Sequence, residues 1–279
     1  MPSPPLTALI EPFDNLSPMA VLWLQVGTSH PYEMALGAVE VVAGVLLFIP
    51  RTATLGALVS LVGTGQIFLL NMTYGVPVKI LSFHLVLISA LLLAPEARRL
   101  VDVLVLGRGV GPEERPALFA SRRHNRIAAI AQIVLGAWVL IGGLVLNLQA
   151  WTEYGDGRPK PDLYGIWQVT DFSIDGRPRP PLTSDDIRWQ RAIFDRPEIV
   201  TYQLMNGELV DAAASQTGDT LALPDVDAEY VVDRTGDHLR LDGRLKDSRV
   251  TITLERQPLD DFTLRNRGFH WVQEAPYFG

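Results

Sequence analysis

The sequence predicts an α-helical membrane bundle of four transmembrane helices followed by an all-β antiparallel barrel domain. Four apolar stretches in the first 150 residues approach the roughly 20 residues that cross a bilayer as a helix. Residues 1–150 carry nine Lys and Arg against eight Asp and Glu, whereas residues 151–279 carry fifteen against twenty-three. After Pro161, apolar residues alternate with polar ones and turn dipeptides containing glycine recur, which is typical of short antiparallel strands.

The four predicted spans cover residues 33–50, 54–72, 77–95 and 127–149. Residues 1–32 are proline-rich, too polar to span, and lack the basic and apolar regions of a secretory signal, so we expect an outer tail or interfacial segment there. The loop 96–126 is strongly basic and contains Arg98, Arg99, Arg108, Arg115, Arg122, Arg123 and Arg126. Because basic loops stay in the cytoplasm, this loop is predicted inside, and the N-terminal tail and everything after residue 150 outside.

The first span carries a polar stripe along an otherwise apolar helix. Glu33, Gly37, Glu40 and Gly44 follow the spacing i, i+4, i+7, i+11, which places them within about 60° of one another. Glycine on a membrane helix lets a neighbouring backbone approach closely. We therefore expect this stripe to face protein.

A candidate ligand-binding pocket follows from the depth of the polar residues. Glu40 and His84 each lie about 10 Å below the outer surface, at a rise of about 1.5 Å per residue. Thr64 of the second span is close to that depth, and Asn71 lies near the rim. Since intramembrane ionisable residues usually mark functional sites, we predict an outward-open pocket of Glu40, His84, Thr64, Asn71 and Glu33, with Glu40 and His84 sharing a hydrogen bond or a proton. The alternative is that these side chains only tie helices together, which is the favoured role for Glu33.

Two segments, YEMALGAVEVVAGVLLFIPRTATLGAL and YGVPVKILSFHLVLISALLLAPEARRLVDVLVL, resemble the DoxX family of small bacterial membrane proteins. The similarity covers roughly residues 15–107: a Glu-x3-Gly on one span, and a His-containing span that ends in Ala-Pro-Glu and an arginine pair. Family members are four-helix bundles of the bacterial cytoplasmic membrane, and a related branch belongs to a thiosulfate:quinone oxidoreductase. The resemblance therefore implies quinone or sulfur redox chemistry.

One feature of the family has no counterpart in this sequence, namely its first membrane helix. Three explanations are open. The chain is a truncated version of a longer protein, another subunit completes the bundle, or residues 16–26 lie at the outer interface as a lid.

The C-terminal segment 163–279 is predicted to be a meander of about eight strands, closed into a barrel that removes its edges. Residues 150–162, rich in Gly and Pro, form the linker from the last span. Four dipeptides are expected to be tight hairpin turns: Asp175–Gly176, Asn206–Gly207, Gly236–Asp237 and Asp242–Gly243.

The opening of this domain, LYGIWQV, resembles the Gly-x-Trp start of lipocalin-like barrels. That resemblance implies that Trp167 plugs one end of the barrel. We expect Trp189, His270 and Trp271 in the barrel wall or its closure. The acidic pair Asp185–Asp186 is expected in a solvated turn.

Composition argues against several function classes. There is no basic stripe with interleaved aromatic residues, so no nucleic-acid partner is expected. The absence of cysteine removes disulfides, thiolate nucleophiles and cysteine-ligated clusters. The five histidines are scattered, so we predict no metal site.

These observations lead to two hypotheses for a multi-pass protein of the bacterial inner membrane with an extracytoplasmic C-terminal domain. The first is a redox or quinone-associated subunit that forms homo- or hetero-oligomers in the lipid bilayer, with quinone as its cofactor and other redox subunits as partners. The alternative is a non-enzymatic anchor or scaffold whose barrel binds an envelope partner or an apolar small molecule. A solute or proton conductor is disfavoured because no broken helix or inverted repeat is visible.

Overall fold

The computed structural model describes residues 4–111, 119–155, 157–266 and residue 272. The chain divides into two compact units. One contains the described residues within 1–16, 23–29 and 151–279 and holds the β-strands; the other contains the described residues within 17–22 and 30–150 and holds the long helices. His270 and Trp271, which we expected in the barrel, lie outside the described residues.

The helical part consists of α1 (Pro18–Gly27), α2 (His30–Phe48), α3 (Ala53–Thr73), α4 (Lys79–Leu93), α5 (Ala97–Leu104) and α6 (Arg122–Glu153). Among the described residues, four segments are long and apolar enough to cross a membrane: α2, α3, the combined stretch Lys79–Leu104, and α6. The predicted helical membrane part is thus confirmed. The combined stretch runs from α4 into α5 through a 3-10 turn at Ala94–Glu96, which tolerates Pro95 because the first turn of a helix has no partner for that N–H.

The helix α3 packs against both α2 and α4. It approaches α2 closely at Gly56, where a Cβ atom would lie 2.7 Å from the backbone nitrogen of Leu47 and 2.9 Å from the carbonyl carbon of Leu46. The hydroxyl of Thr52 donates to the carbonyl oxygen of Leu46 at 3.0 Å and closes the turn between the two helices. A small residue at position 56 is therefore what allows this helix pair to form.

In contrast to α3, the helix α6 has no buried residue. The side-chain amide of Gln132 donates to the carbonyl oxygen of Phe48 at 2.7 Å. The ring of Phe48 also approaches Gly136, at 3.1 Å from its Cβ position. The exposed apolar side chains of α6 are those expected of a surface that contacts lipid.

The part of the barrel unit that the structure describes contains ten strands: β1 (Gly165–Ile174), β2 (Arg177–Pro178), β3 (Trp189–Arg196), β4 (Ile199–Leu204), β5 (Leu209–Ala213), β6 (Ser215–Thr217), β7 (Thr220–Leu223), β8 (Ala228–Thr235), β9 (His238–Leu245) and β10 (Ser248–Gln257). They form one antiparallel sheet in the order β5-β4-β3-β1-β10-β9-β8-β7-β6, with β2 paired to the end of β1. Only Ala214 separates β5 from β6, so the two act as one bent strand that pairs first with β4 and then with β7. The result is a nearly closed up-and-down meander, which confirms the predicted all-β antiparallel barrel.

Three of the predicted hairpin turns are confirmed. Asp175 and Gly176 have φ values of 50° and 76° and turn β1 into β2. Gly207 has a φ of 93° between β4 and β5, and Gly236 has a φ of 64° between β8 and β9. Glycine, aspartate and asparagine are the residues that tolerate this left-handed region, which is why these dipeptides marked the turns correctly.

The fourth predicted turn, Asp242–Gly243, was wrong. Both residues lie inside β9, and the chain turns later, at Lys246, whose φ is 54°. A Cβ atom at Gly243 would overlap the carbonyl oxygen of Glu229 and lie 2.7 Å from the Cα atom of Tyr230. Glycine is present here because β8 passes too close for any side chain, a reason that the dipeptide itself does not reveal.

Trp167 fills the barrel at the start of β1, as predicted. Its side chain is 0% exposed, and its indole N–H donates to the carbonyl oxygen of Leu163 at 2.8 Å. The guanidinium of Arg234 lies 5.5 Å from the centre of the ring. The same guanidinium donates to the carbonyl oxygen of Asp162 at 2.6 Å, so cation–π and hydrogen-bond contacts hold this closure together.

A second apolar cluster covers the outer face of β1 and β3. Ile166 and Ile193, which point away from the interior cluster that contains Trp167, are fully buried beneath Leu6 of a short N-terminal 3-10 helix, Leu6–Leu9. Phe262, before the short helix α7 (Thr263–Asn266), also packs there. The barrel unit is thus assembled from both ends of the chain.

Candidate functional site

The structure places His84 on the side of α4 that faces away from its packing partner. The buried residues of α4 are Ser82, Ser89 and Leu93. His84 is two residues from Ser82 and so lies about 200° around the helix from it. Its ring is exposed, and its Nδ1 atom lies 2.7 Å from the carbonyl oxygen of Ile80 on the same helix.

Glu40 lies on α2 and is also exposed, with no hydrogen bond or ion pair to any described residue. The neighbouring glycines of the stripe, Gly37 and Gly44, have no described atom outside their own helix backbone within 4 Å of their Cβ positions. Our expectation that this stripe faces protein is therefore wrong for a single copy of the chain. The physical reason is that α3 is the helix packed along α2, and the contact uses Gly56 instead.

The other three predicted pocket residues, Thr64, Asn71 and Glu33, lie in three different environments. The Thr64 hydroxyl donates to the carbonyl oxygen of Ser60 on its own helix at 2.7 Å. Asn71 is buried on α3, and its amide nitrogen has no hydrogen-bond partner among the described residues. Glu33 lies at the start of α2, 3.9 Å from the Nδ1 atom of His30.

No Glu40–His84 hydrogen bond or ion pair exists among the described residues, so the predicted pair is not formed within one chain. Both residues belong to helices that flank α3 rather than to helices that pack on each other. Depth along the bilayer placed the two at one level, but depth does not specify the direction in which each helix faces. The described residues also contain no group of three or more His, Asp or Glu that could hold a metal ion.

Arg188 is a buried polar residue that no sequence pattern marked as functional. It precedes β3 and follows a turn organised by Asp185. The Oδ1 atom of Asp185 accepts the backbone N–H groups of Ile187 and Arg188 at 2.9 Å each, and its Oδ2 atom accepts the Nε–H of Arg179 at 2.8 Å. This is a side-chain-capped turn, in which the aspartate holds the backbone that leads into the strand.

Asp185 was expected in a solvated turn, and that expectation was wrong, because its side chain is largely buried. Burial raises its pKa, but the two backbone N–H donors and Arg179 outweigh this and hold the pKa of Asp185 below its ordinary value. The carboxylate therefore stays ionised within the turn. In the sequence, this turn is marked only by an aspartate that precedes its two backbone N–H donors by two and three residues. That spacing is too common to identify a buried turn.

The Arg188 side chain is 4% exposed, yet its Nε and Nη1 atoms have no hydrogen-bond partner among the described residues. Its guanidinium carbon lies 6.0 Å from the centre of the Phe172 ring. Burial lowers the pKa of Arg188 below its ordinary value, while the carboxylates of Asp185 and Asp171 oppose that shift. Arg188 is thus a cation inside the barrel unit with unpaired donors.

A second unpaired polar group lies in the same barrel core. The Tyr230 hydroxyl is buried without a hydrogen-bond partner among the described residues, and burial raises the pKa of this phenol far above its ordinary value. The Tyr230 ring lies 6.0 Å from that of Trp189, which in turn stacks on Tyr202 at 4.7 Å. Trp189 is buried in the barrel interior, in line with its predicted place in the barrel.

Comparison with known proteins shows a similarity that covers only part of the chain. No family model matches the chain, and no solved structure matches it. The uncharacterized protein YwoB of Bacillus subtilis (strain 168) is 36% identical to it over 83 residues. That stretch is 30% of this chain and 54% of YwoB, so the chain spans about half the length of this relative. The name of YwoB states no activity, and the resemblance to the DoxX family stays a prediction.

Proposed function

We propose that this is a multi-pass inner-membrane protein whose helices anchor a binding module, the β-barrel, on the extracytoplasmic side. The observation that carries the proposal is that both ends of the chain build the barrel unit. Leu6 lies before the first span, is fully buried, and packs against Ile166 and Ile193 of the barrel. Segments that pack in one unit lie on one side of a membrane, which an even number of spans permits.

The direction of insertion comes from charge. The arginines between the third and fourth spans exceed the acidic residues there, and basic loops of this length remain in the cytoplasm. The barrel then lies outside. The DoxX resemblance implies that the membrane is the bacterial cytoplasmic membrane. A barrel attached to anchoring helices is the architecture of a tethered binding protein, because a small antiparallel barrel either holds one small ligand or is filled by its own side chains.

Substituted-cysteine labelling tests this placement, and the natural absence of cysteine removes any background. Ser215→Cys lies in β6 of the barrel and Ser121→Cys in the basic loop, and both positions are exposed. We expect a membrane-impermeant maleimide to label Ser215→Cys in intact cells, and to label Ser121→Cys only after the membrane is permeabilised. Labelling of Ser121→Cys in intact cells, with Ser215→Cys protected, would show the opposite orientation and overturn the proposal.

A redox role with a bound quinone is a second proposal, and one observation favours it. Glu40 and His84 are both exposed on apolar helices, where an ionisable side chain is costly unless another group covers it. We propose that this cover comes from a second copy or another membrane subunit, and that a quinone binds beside these residues.

Quinone binding is tested by organic extraction of gently purified protein followed by mass spectrometry. We expect a quinone in the extract of the natural protein and a lower quinone-to-protein ratio for Glu40→Gln. Met34→Leu, at a similarly exposed position of α2, is the matched control and should retain the natural ratio. An extract of the natural protein that contains lipids and no quinone contradicts the redox proposal and leaves the anchoring proposal intact.

A further inference from the structure

Several arginines of the basic loop have no carboxylate partner. The loop between the third and fourth spans, residues 96–126, holds seven arginines against four acidic residues. Two of those acids are already paired. Glu96 lies 4.0 Å from a guanidinium nitrogen of Arg99, and Asp102 lies 3.5 Å from one of Arg108. Exposed guanidinium groups without an ion pair among the described residues belong to Arg98, Arg122, Arg123 and Arg126.

The start of α6 concentrates three of these charges where cations are unfavourable. Arg122, Arg123 and Arg126 lie within the first five residues of α6, whose first turn contains no acidic residue. The N-terminal end of a helix carries a partial positive charge, so it repels cations and attracts anions. Arg122 and Arg126 are also four residues apart on one face, a spacing at which like charges repel. An anion bound at this end of α6 relieves both kinds of repulsion.

The other end of the loop is α5, a short helix with charged and apolar residues on opposite sides. At about 100° per residue, its charged side chains lie within about 100° of one another: Arg98, Arg99 and Asp102. Its apolar residues lie on the opposite side, and Val101 and Leu104 among them are exposed. A helix with this separation of charged and apolar faces suits the boundary between lipid headgroups and acyl chains.

Resting on the proposed multi-pass arrangement, we propose that these two helix ends bind the headgroup phosphates of anionic phospholipids. The binding surface consists of Arg98 on α5 and the three arginines at the start of α6. Both helices adjoin one membrane surface, because a single loop joins the third span to the fourth. Arginine presents a planar set of N–H donors that matches phosphate oxygens. The apolar face of α5 favours a lipid over a free phosphate ion, because it needs acyl chains to cover it.

The experiment measures lipid binding to the full chain in a neutral detergent by native mass spectrometry. Dioleoyl phosphatidylglycerol supplies an anionic headgroup, and dioleoyl phosphatidylcholine supplies the same acyl chains with a headgroup of no net charge. Inorganic phosphate, added as a competitor, tests the anion without the lipid. Detergent leaves both faces of the protein accessible, so the result does not depend on the direction of insertion.

Two variants carry the same loss of charge at different places. The α6 variant combines three substitutions: Arg122→Gln, Arg123→Gln and Arg126→Gln. The matched control removes three exposed arginines of the barrel: Arg177→Gln, Arg196→Gln and Arg249→Gln. Glutamine has nearly the helix propensity of arginine, so the start of α6 should stay helical.

We expect the natural protein and the control to bind phosphatidylglycerol equally, and about 100-fold more tightly than phosphatidylcholine. Each basic residue near an anionic surface contributes about fivefold in affinity, so the α6 variant should bind phosphatidylglycerol about 100-fold more weakly. Added salt should weaken the binding to the natural protein, because exposed charges are screened. Inorganic phosphate should not displace the lipid. Arginines that only direct membrane insertion would leave lipid affinity unchanged when replaced.

The proposal is overturned if the natural protein binds the two lipids equally, or if the α6 variant binds phosphatidylglycerol as tightly as the natural protein. It is also overturned if the control loses as much affinity as the α6 variant, or if inorganic phosphate displaces the lipid. The comparison of the two lipids uses the natural protein, so it decides the question even if the α6 variant does not fold.

Failure of the lipid site is distinguishable from failure of the proposed placement. External labelling of Ser215→Cys without a preference for phosphatidylglycerol removes the lipid site alone. A preference for phosphatidylglycerol without external labelling removes the placement of the barrel alone.

Discussion

Replacement of Trp167 by alanine should lower the free energy of unfolding of the barrel by about 3–5 kcal/mol, the usual cost of deleting a large buried aromatic side chain. The indole is 0% exposed, so its removal leaves a cavity at one end of the barrel. It also removes the hydrogen bond to the Leu163 carbonyl oxygen and the face on which Arg234 stacks. Since domains are stable by only about 5–15 kcal/mol, this loss approaches the whole margin of a small barrel.

The measurement is pulse proteolysis of the barrel in the full chain across a urea series, with Trp138→Ala as the matched control. Trp138 lies on α6 and is 71% exposed, so its removal should leave the unfolding of the barrel unchanged. A Trp167→Ala barrel that unfolds within 1 kcal/mol of the natural one would contradict the role of Trp167 as the closure.

Replacement of Gly243 by alanine should also destabilise the barrel strongly, by about 1–3 kcal/mol or more, the range for forcing extra atoms into a packed site. The new Cβ atom would overlap the carbonyl oxygen of Glu229 and lie 2.7 Å from the Cα atom of Tyr230. Both are backbone atoms in β8, so no side chain can rotate to make room. The paired strands β8 and β9 must separate locally, with loss of ladder hydrogen bonds.

Gly236→Ala is the matched control for Gly243→Ala, because Gly236 joins the same two strands. It has nothing within 4 Å of its Cβ position but has a φ of 64°. Its replacement should cost about 1–2 kcal/mol from the left-handed conformation alone. A loss of less than about 1 kcal/mol for Gly243→Ala in the same urea series would contradict the close approach of β8 to β9 at this position.

The barrel was largely predictable because its signals are local. Alternation such as Val250, Ile252 and Leu254 fixes which residues of a strand share a face, and all three are buried in the interior. Turn dipeptides report a backbone conformation that few residues adopt, so Asp175–Gly176 and Gly236–Asp237 were placed correctly. Asp242–Gly243 is the same kind of dipeptide, but glycine is present there because the neighbouring strand β8 lies too close for a side chain.

The membrane site was less predictable because it depends on which helices are neighbours. Apolar length gave the spans, and the rise per residue gave the depth of Glu40 and His84. The direction of each side chain is set by the packing face of its helix, and α4 packs through Ser82 and Ser89. Two serines seven residues apart are a signal that could have been used, since small residues mark helix contacts in membranes.

The amino-acid sequence by itself determined the kinds of elements, their order and most of their boundaries, because apolar length, alternation and turn residues act within a few residues of the chain. The tertiary structure alone decided which polar groups meet. Arg188 became a buried residue because the turn held by Asp185 places it at the start of β3 beside Phe172, and Glu40 and His84 stayed apart because α3 lies against both of their helices. Such outcomes depend on contacts between segments distant in the chain, and those contacts are settled by the packing of the whole unit.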